Sequence, residues 1–236
     1  MRNYRATSGP FIERPFFKPE EIEDICTEEL RKAKLFPDKP EPVRIERFIE
    51  KRFGVSPEYA ELPAGVLGVT RFGSKGVEGI IVSKTLAEDG VRSSERRINT
   101  TLAHEAGHGL LHTYLFVLKE TAVSLFGADY DSKSPRILCR DDVAPSGQRQ
   151  SAYNGKWWEF QANQTIGALL LPQKLFWQSV EPMLTKSGSL GMPILLPEHR
   201  KRAVDLLAQT FDVNPAVARI RLDQLSPEKN SAQLTL

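Results

Sequence analysis

The order of elements in the sequence predicts an α+β fold rather than alternating β and α units. Helix-period apolar patterns come first, a β-branched stretch broken by turn residues follows at 64–83, and further helix patterns run from residue 93 onward. No internal repeat or low-complexity tract disturbs that order. At 236 residues the chain is long enough for one domain of ordinary size with a buried core. Its 40% hydrophobic and 26% charged residues set it among globular proteins, apart from disordered and fibrous ones.

Residues 1–42 are punctuated by Pro10, Pro15, Pro19, Pro37, Pro40 and Pro42 and read as an N-terminal extension. Within it, Ile22, Ile25, Leu30 and Leu35 predict one short amphipathic helix over 20–35 that packs the extension on the domain. A second helix is expected over 43–53, with Ile45, Phe48, Ile49 and Phe53 at helical spacing and Gly54 as its stop. Then Val66, Leu67, Val69 and Phe72 precede the turn residues Gly73-Ser74-Lys75-Gly76, and β-branched residues lead to Val82, giving a hairpin or two sheet strands.

Ser93-Ser94 supplies an N-cap, with Glu95 in the first turn, for a helix expected to run to about Tyr114. Residues 127–156 are rich in Gly, Ser, Asp and Pro and read as an irregular loop around a short strand, Ile137-Leu138-Cys139. A helix over 157–171 stops at Pro172. Beyond a Gly/Pro-rich connection at 187–197, helices over 198–210 and 215–225 form a pair, and 226–236 read as a frayed tail.

The net charge of +2 gives no reason to expect nucleic acid as the main partner. Met1-Arg2-Asn3-Tyr4-Arg5 is not followed by the apolar stretch of a signal peptide, and runs such as Ala168-Leu169-Leu170-Leu171 are too short to span a bilayer. Two cysteines, Cys26 and Cys139, do not make a secreted disulfide framework. A cytoplasmic protein without a membrane partner is expected.

The chemistry is concentrated in His104-Glu105-Ala106-Gly107-His108. Residues four apart on a helix project from nearly the same side, so His104 and His108 can reach one ion. Glu105 stands beside that ion, where a carboxylate can take a proton from a zinc-bound water; Zn²⁺ lowers that water's pKa to roughly 7. Gly107 sits mid-helix at a cost of about 1 kcal/mol relative to alanine, and close packing against another element would account for it. Catalytic zinc takes three protein ligands, so one more is needed. His112 is a poor choice, because eight residues place it roughly 12 Å along the axis from His104. It reads as a group outside the metal's own ligands, a cleft residue or a helix-surface histidine. Glu159, between aromatics on an apolar helix, needs a partner, and a metal would serve. Asn163, one turn later, could hydrogen-bond the outer nitrogen of a metal-bound imidazole. Asp129, Asp131, Asp141 and Asp142 are rival ligands on the loop.

The segment Thr101-Leu102-Ala103-His104-Glu105-Ala106-Gly107-His108-Gly109-Leu110-Leu111-His112, with Glu159-Phe160-Gln161-Ala162-Asn163 and Ala168-Leu169-Leu170-Leu171-Pro172, resembles the ImmA/IrrE family of metallopeptidases over about residues 43–225. The resemblance implies a zincin-like metallopeptidase domain with a small sheet, an active-site helix and a C-terminal helical part. It implies His104, His108 and Glu159 as zinc ligands and Glu105 as general base, and raises Glu159 above the loop aspartates. It also implies a protein or peptide substrate, such as a transcriptional repressor or an antitoxin-like partner. The family commonly has an arginine or phenylalanine just before the Thr-Leu-Ala-His stretch, where this chain has Ile98-Asn99-Thr100, and residues 1–42 have no counterpart in it.

Three functional classes follow. A regulatory endopeptidase would accept an extended peptide at the edge of the strands over 66–82 and support the oxyanion with His112, Tyr130, Tyr153 or Arg140. A catalytically silent interaction protein would keep zinc as a remnant. A DNA-binding regulator would use Arg219 and Arg221 in the C-terminal helical pair, although Leu206, Leu207, Phe211, Val217 and Ile220 are equally explained by core packing. Trp157 and Trp158 could line a cleft, yet such residues more often anchor a helix.

Overall fold

In a computed structural model, the protein is described at residues 2–5, 13–88, 90–117, 136–140, 157–187 and 192–227. Helix α1 (Pro19–Lys32) starts with Pro19 in its first turn, followed by Glu20 and Glu21, and ends on Arg31 and Lys32, charges that suit the helix dipole. It sends Ile22, Cys26 and Leu30 into the core. Through this helix residues 19–32 of the expected extension pack into the main core. Helix α2 (Ile45–Phe53) stops at Gly54, whose φ of 73° places it in the left-handed region that glycine adopts without penalty.

After the strands β1 (Arg2–Arg5) and β2 (Glu13–Phe16), strand β3 (Glu58–Ala60) leads to the hairpin β4 (Val66–Gly73) and β5 (Gly76–Ser83). With β6 (Arg136–Arg140) these form one sheet in the order β3-β5-β4-β6, parallel only between β3 and β5. The hairpin expected over 66–82 is thus present, but its strands are interior. β6 pairs along β4 from Val66 to Arg71, and β3 covers Ile81–Ser83 of β5. The strand flanking β4 is β6, so an extended partner on that side would meet β6. Two-stranded ribbons, Arg2–Arg5 with Glu13–Phe16 and Leu184–Ser187 with Met192–Leu195, lie outside this sheet.

After a single turn of helix at Thr85–Glu88, the long helix α3 (Arg92–Leu111) crosses the sheet. Its N-cap is Val91 rather than Ser93 or Ser94; the helix begins two or three residues earlier, and the Ser94 N–H bonds to the Val91 carbonyl at 2.9 Å. It stops before Tyr114. His112 leaves helical geometry with φ −120°, and a new short helix, α4 (Thr113–Val117), starts behind it.

Helix α5 (Trp157–Leu170) packs along α3, and α1 packs on α5. Pro172 ends α5 and also begins α6 (Gln173–Val180). The C-terminal pair is α7 (Pro197–Thr210) and α8 (Pro215–Leu225), each with proline at its first position. Ala168, Leu169, Leu207, Phe211, Ala218 and Leu222 join the core cluster of α1 and α3, so the molecule is α+β with a continuous interior. Ile220 departs from its expected core role: it is 58% exposed, on the outer side of α8. Among the described residues, no helix is long and apolar enough to cross a membrane.

Candidate metal centre

Helix α3 can lie close to its neighbours because its small residues face them. A Cβ on Gly107 would fall on the Thr165 hydroxyl of α5, and one on Gly109 would come within 2.7 Å of the Phe53 ring. The mid-helix glycine is explained by that close approach to α5. Thr165 then donates to the Ala162 carbonyl at 2.7 Å within its own helix. The seam between α3 and α5 is consequently narrow enough for side chains from both helices to meet.

Three donor atoms converge in it. His104 Nε2 lies 3.0 Å from His108 Nε2 and 3.1 Å from Glu159 Oε2, and His108 Nε2 lies 3.7 Å from the same carboxylate oxygen. A tetrahedral ion with bonds of about 2.0–2.1 Å needs donors roughly 3.3 Å apart, so these separations fit one. His104 and His108 are buried and Glu159 is half-buried, with its Oε1 enclosed and without a hydrogen-bond partner among the described residues. Two facing ring nitrogens and an incompletely paired carboxylate make a site for a cation, and His104, His108 and Glu159 can hold a metal ion.

Electrostatics agree with that use. Burial opposes ionisation of Glu159, but the charge and hydrogen bonds of His108 and His104 outweigh it and hold the carboxyl well below its ordinary range. Burial pushes His108 toward the neutral form against the pull of Glu159. A neutral imidazole and an ionised carboxylate are the ligating states.

Two further groups fix the rings. Asn163 Oδ1 stands 3.0 Å from His104 Nδ1, on the outer side of that imidazole. His112 is fully buried, with Nδ1 3.0 Å from His108 Nδ1 and Nε2 3.2 Å from Gln161 Oε1, and the Trp157 ring lies edge-on against it. It is not among the three converging ligands and not on the helix surface. Both ring nitrogens are occupied, which removes it from the oxyanion candidates. Burial, followed by the neighbouring His108, lowers its pKa well below the ordinary histidine value.

Glu105 points the other way round the helix, against the sheet. Thr70 donates to Glu105 Oε2 at 2.5 Å, while Oε1 is buried without a hydrogen-bond partner among the described residues. Gly68, two residues before Thr70 and on the same face of β4, makes the room: a Cβ there would come within 2.6 Å of Oε1. Enclosure between helix and strand pushes the carboxyl up to about 8; His104 and Thr70 act against the shift and Glu159 adds to it.

Gln161, Thr70 and Gly68 were not singled out in the sequence as site residues. Gln161 is two positions from Glu159 and so on another flank of α5, outside the four-residue spacing that picks out Asn163. Asp129, Asp131, Asp141, Asp142, Tyr130 and Tyr153 lie outside the described residues, as does the side chain of Arg140. Trp157 and Trp158 are buried against Phe72 and Leu115, an anchoring role. Cys26 is a free buried thiol in the core, pushed up in pKa by burial. Arg221 cannot contact a duplex: it is 4% exposed, with Nη2 2.5 Å from Glu23 and Nε donating to the Leu171 carbonyl at 3.1 Å.

No protein-family model and no curated protein matches this chain.

Proposed function

We propose that the protein is a zinc-dependent endopeptidase that cleaves a protein partner, a transcriptional repressor or an antitoxin-like protein. The observation that carries this reading is the convergence of His104 Nε2, His108 Nε2 and Glu159 Oε2, with Glu105 one residue from the first ligand. A two-imidazole, one-carboxylate set is a zinc set that leaves one position open. Zinc bound there would supply Lewis acidity and a water acidic enough to lose a proton near neutral pH. Glu105 would hold that proton on its carboxylate and return it to the departing amine. With its pKa pushed up to about 8 by burial, this carboxyl is mostly protonated at neutral pH, so the role requires the positive charge of a bound cation to draw it back to the ionised form. The ImmA/IrrE resemblance of the two helix motifs supports the same assignment and is the source of the partner class. An extended peptide would add to β6, the strand flanking β4.

A second reading has one observation in its favour. The Glu105 carboxylate is fully buried against Thr70 and Gly68, as it would be in a protein that keeps the metal but no longer exposes a base to substrate. One experiment separates the two. Zinc-loaded wild type should cleave a peptide pool or a co-encoded partner, and Glu105→Gln should keep one metal equivalent and lose cleavage. Wild-type turnover in the metal-loaded variant would remove Glu105 from the mechanism. A zinc-loaded wild type that cleaves nothing would favour the silent interaction protein.

A further inference from the structure

We propose that Gln161 and His112 are positioning residues for His108, setting which of its nitrogens carries the proton and which faces the metal. The inference rests on the metal-centre reading above. Its argument is one of donors and acceptors. An amide oxygen only accepts, so Gln161 Oε1, 3.2 Å away, requires His112 to carry its proton on Nε2. A neutral imidazole has one N–H, so His112 Nδ1 is left with a lone pair. His108 Nδ1, 3.0 Å from it, must then be the donor. That leaves His108 Nε2 unprotonated at the point it shares with His104 Nε2 and Glu159 Oε2.

His104 reaches the same state in one step, since its Nδ1 donates to Asn163 Oδ1 at 3.0 Å. The two ligand imidazoles are thus oriented from α5 by different routes, directly by Asn163 and through a second imidazole by Gln161. The four-residue spacing of His108 and His112 permits the second route, and the His112 N–H still bonds to the His108 carbonyl at 2.9 Å. His112 leaves helical geometry at the end of α3, and its ring meets that of His108.

Partners of this kind tune metal affinity by about 10–100-fold. Zinc affinity, measured by competition with a chromophoric chelator, should therefore fall about 10–100-fold in Gln161→Leu and His112→Leu. His112→Asn, whose amide oxygen can stand near the Nδ1 position, should recover most of the loss, which a merely space-filling role for His112 would not give. Long-range nitrogen–proton NMR on zinc-loaded wild type should place the His112 proton on Nε2, a readout that does not need any variant to fold. Leucine variants within about twofold of wild-type affinity, an Asn variant no better than Leu, or a proton on His112 Nδ1 would each overturn the relay. His104→Ala tells the two failures apart. If it loses zinc while the leucine variants keep it, only the relay fails; if wild type itself binds no more zinc than His104→Ala, the metal reading fails with it.

Discussion

Two buried polar contacts hold helices together in this molecule, and they are finished differently. Between α1 and α8, Glu23 and Arg221 form an ion pair at 2.5 Å. Its outer atoms are also used: the Gln173 N–H donates to Glu23 Oε1 at 2.7 Å, and Arg221 Nε donates to the Leu171 carbonyl at 3.1 Å. Between α3 and α5, two imidazole nitrogens face each other at 3.0 Å, and the enclosed Oε1 of Glu159 has no hydrogen-bond partner among the described residues. The first contact is complete within the chain. The second brings donor atoms of His104, His108 and Glu159 within reach of one metal ion. Buried polar atoms left unmatched cost stability, so the enclosed Glu159 Oε1 in this seam is one that a bound cation would relieve.

The sharpest way to break this comparison is to unfinish the finished contact. Removing one partner of a buried ion pair leaves an uncompensated charge and typically costs about 3–5 kcal/mol, so Glu23→Ala should show a loss of that order in urea denaturation. Replacing both partners by apolar residues of similar length, Glu23→Met with Arg221→Met, should recover most of it, because no charge is then stranded. A loss below about 1 kcal/mol in the single variant would mean the pair is hydrated, like a surface contact.

The next effect sharpens the other side. A ligand that binds only the folded state at 100 times its Kd adds about 2.7 kcal/mol, so zinc at that excess should raise wild-type stability by this amount. In Glu159→Gln the increment should vanish, while in Glu23→Ala it should survive on top of the deficit, since the two contacts share no partner. An equal zinc effect in Glu159→Gln would remove Glu159 from the ligand set.

The two contacts also differ in how far they could be read from the sequence. The metal seam is made of short spacings: His104 with His108, and Glu159 with Asn163, are four-residue pairs on helices whose apolar periods were visible. The joining of those helices was inferred from a resemblance and from a glutamate in apolar surroundings. Gln161 escaped because its spacing from Glu159 carries no such signal, and His112, although four residues from His108, lies too far along the axis from His104 for spacing alone to give it a role at the metal. Glu23 and Arg221 are 198 positions apart. Glu23 looks like an ordinary polar position on an amphipathic helix and Arg221 like a candidate duplex contact, and only the packing of α1 against α5 and α8 against α5 brings them together. The strand order was hidden for the same reason. The hairpin of β4 and β5 is local, but β6 joins β4 across a long excursion of the chain.

A third polar contact, between α3 and the turn joining α7 to α8, tests whether a finished contact at the surface matters as much as one in the interior. Arg96 Nε donates to Asp212 Oδ1 at 2.7 Å and Arg92 Nε at 3.0 Å, with the Asp212 side chain 28% exposed. Burial opposes ionisation of Asp212, but the hydrogen bonds from Arg96 and Arg92 hold its carboxyl below the usual range. A carboxyl lowered in the folded state stabilises it above the unfolded pKa of about 3.9, and that contribution disappears as pH falls through the folded value. Asp212 has a φ of 50°, which asparagine tolerates, so Asp212→Asn removes the charge without straining the turn. The variant should be less stable than wild type at pH 7 by no more than about 1 kcal/mol, the scale of a solvent-screened pair. In parallel denaturation curves the gap should close as the pH falls below about 4, and a gap that persists in acid would assign the effect to the shape of the turn rather than to the charge.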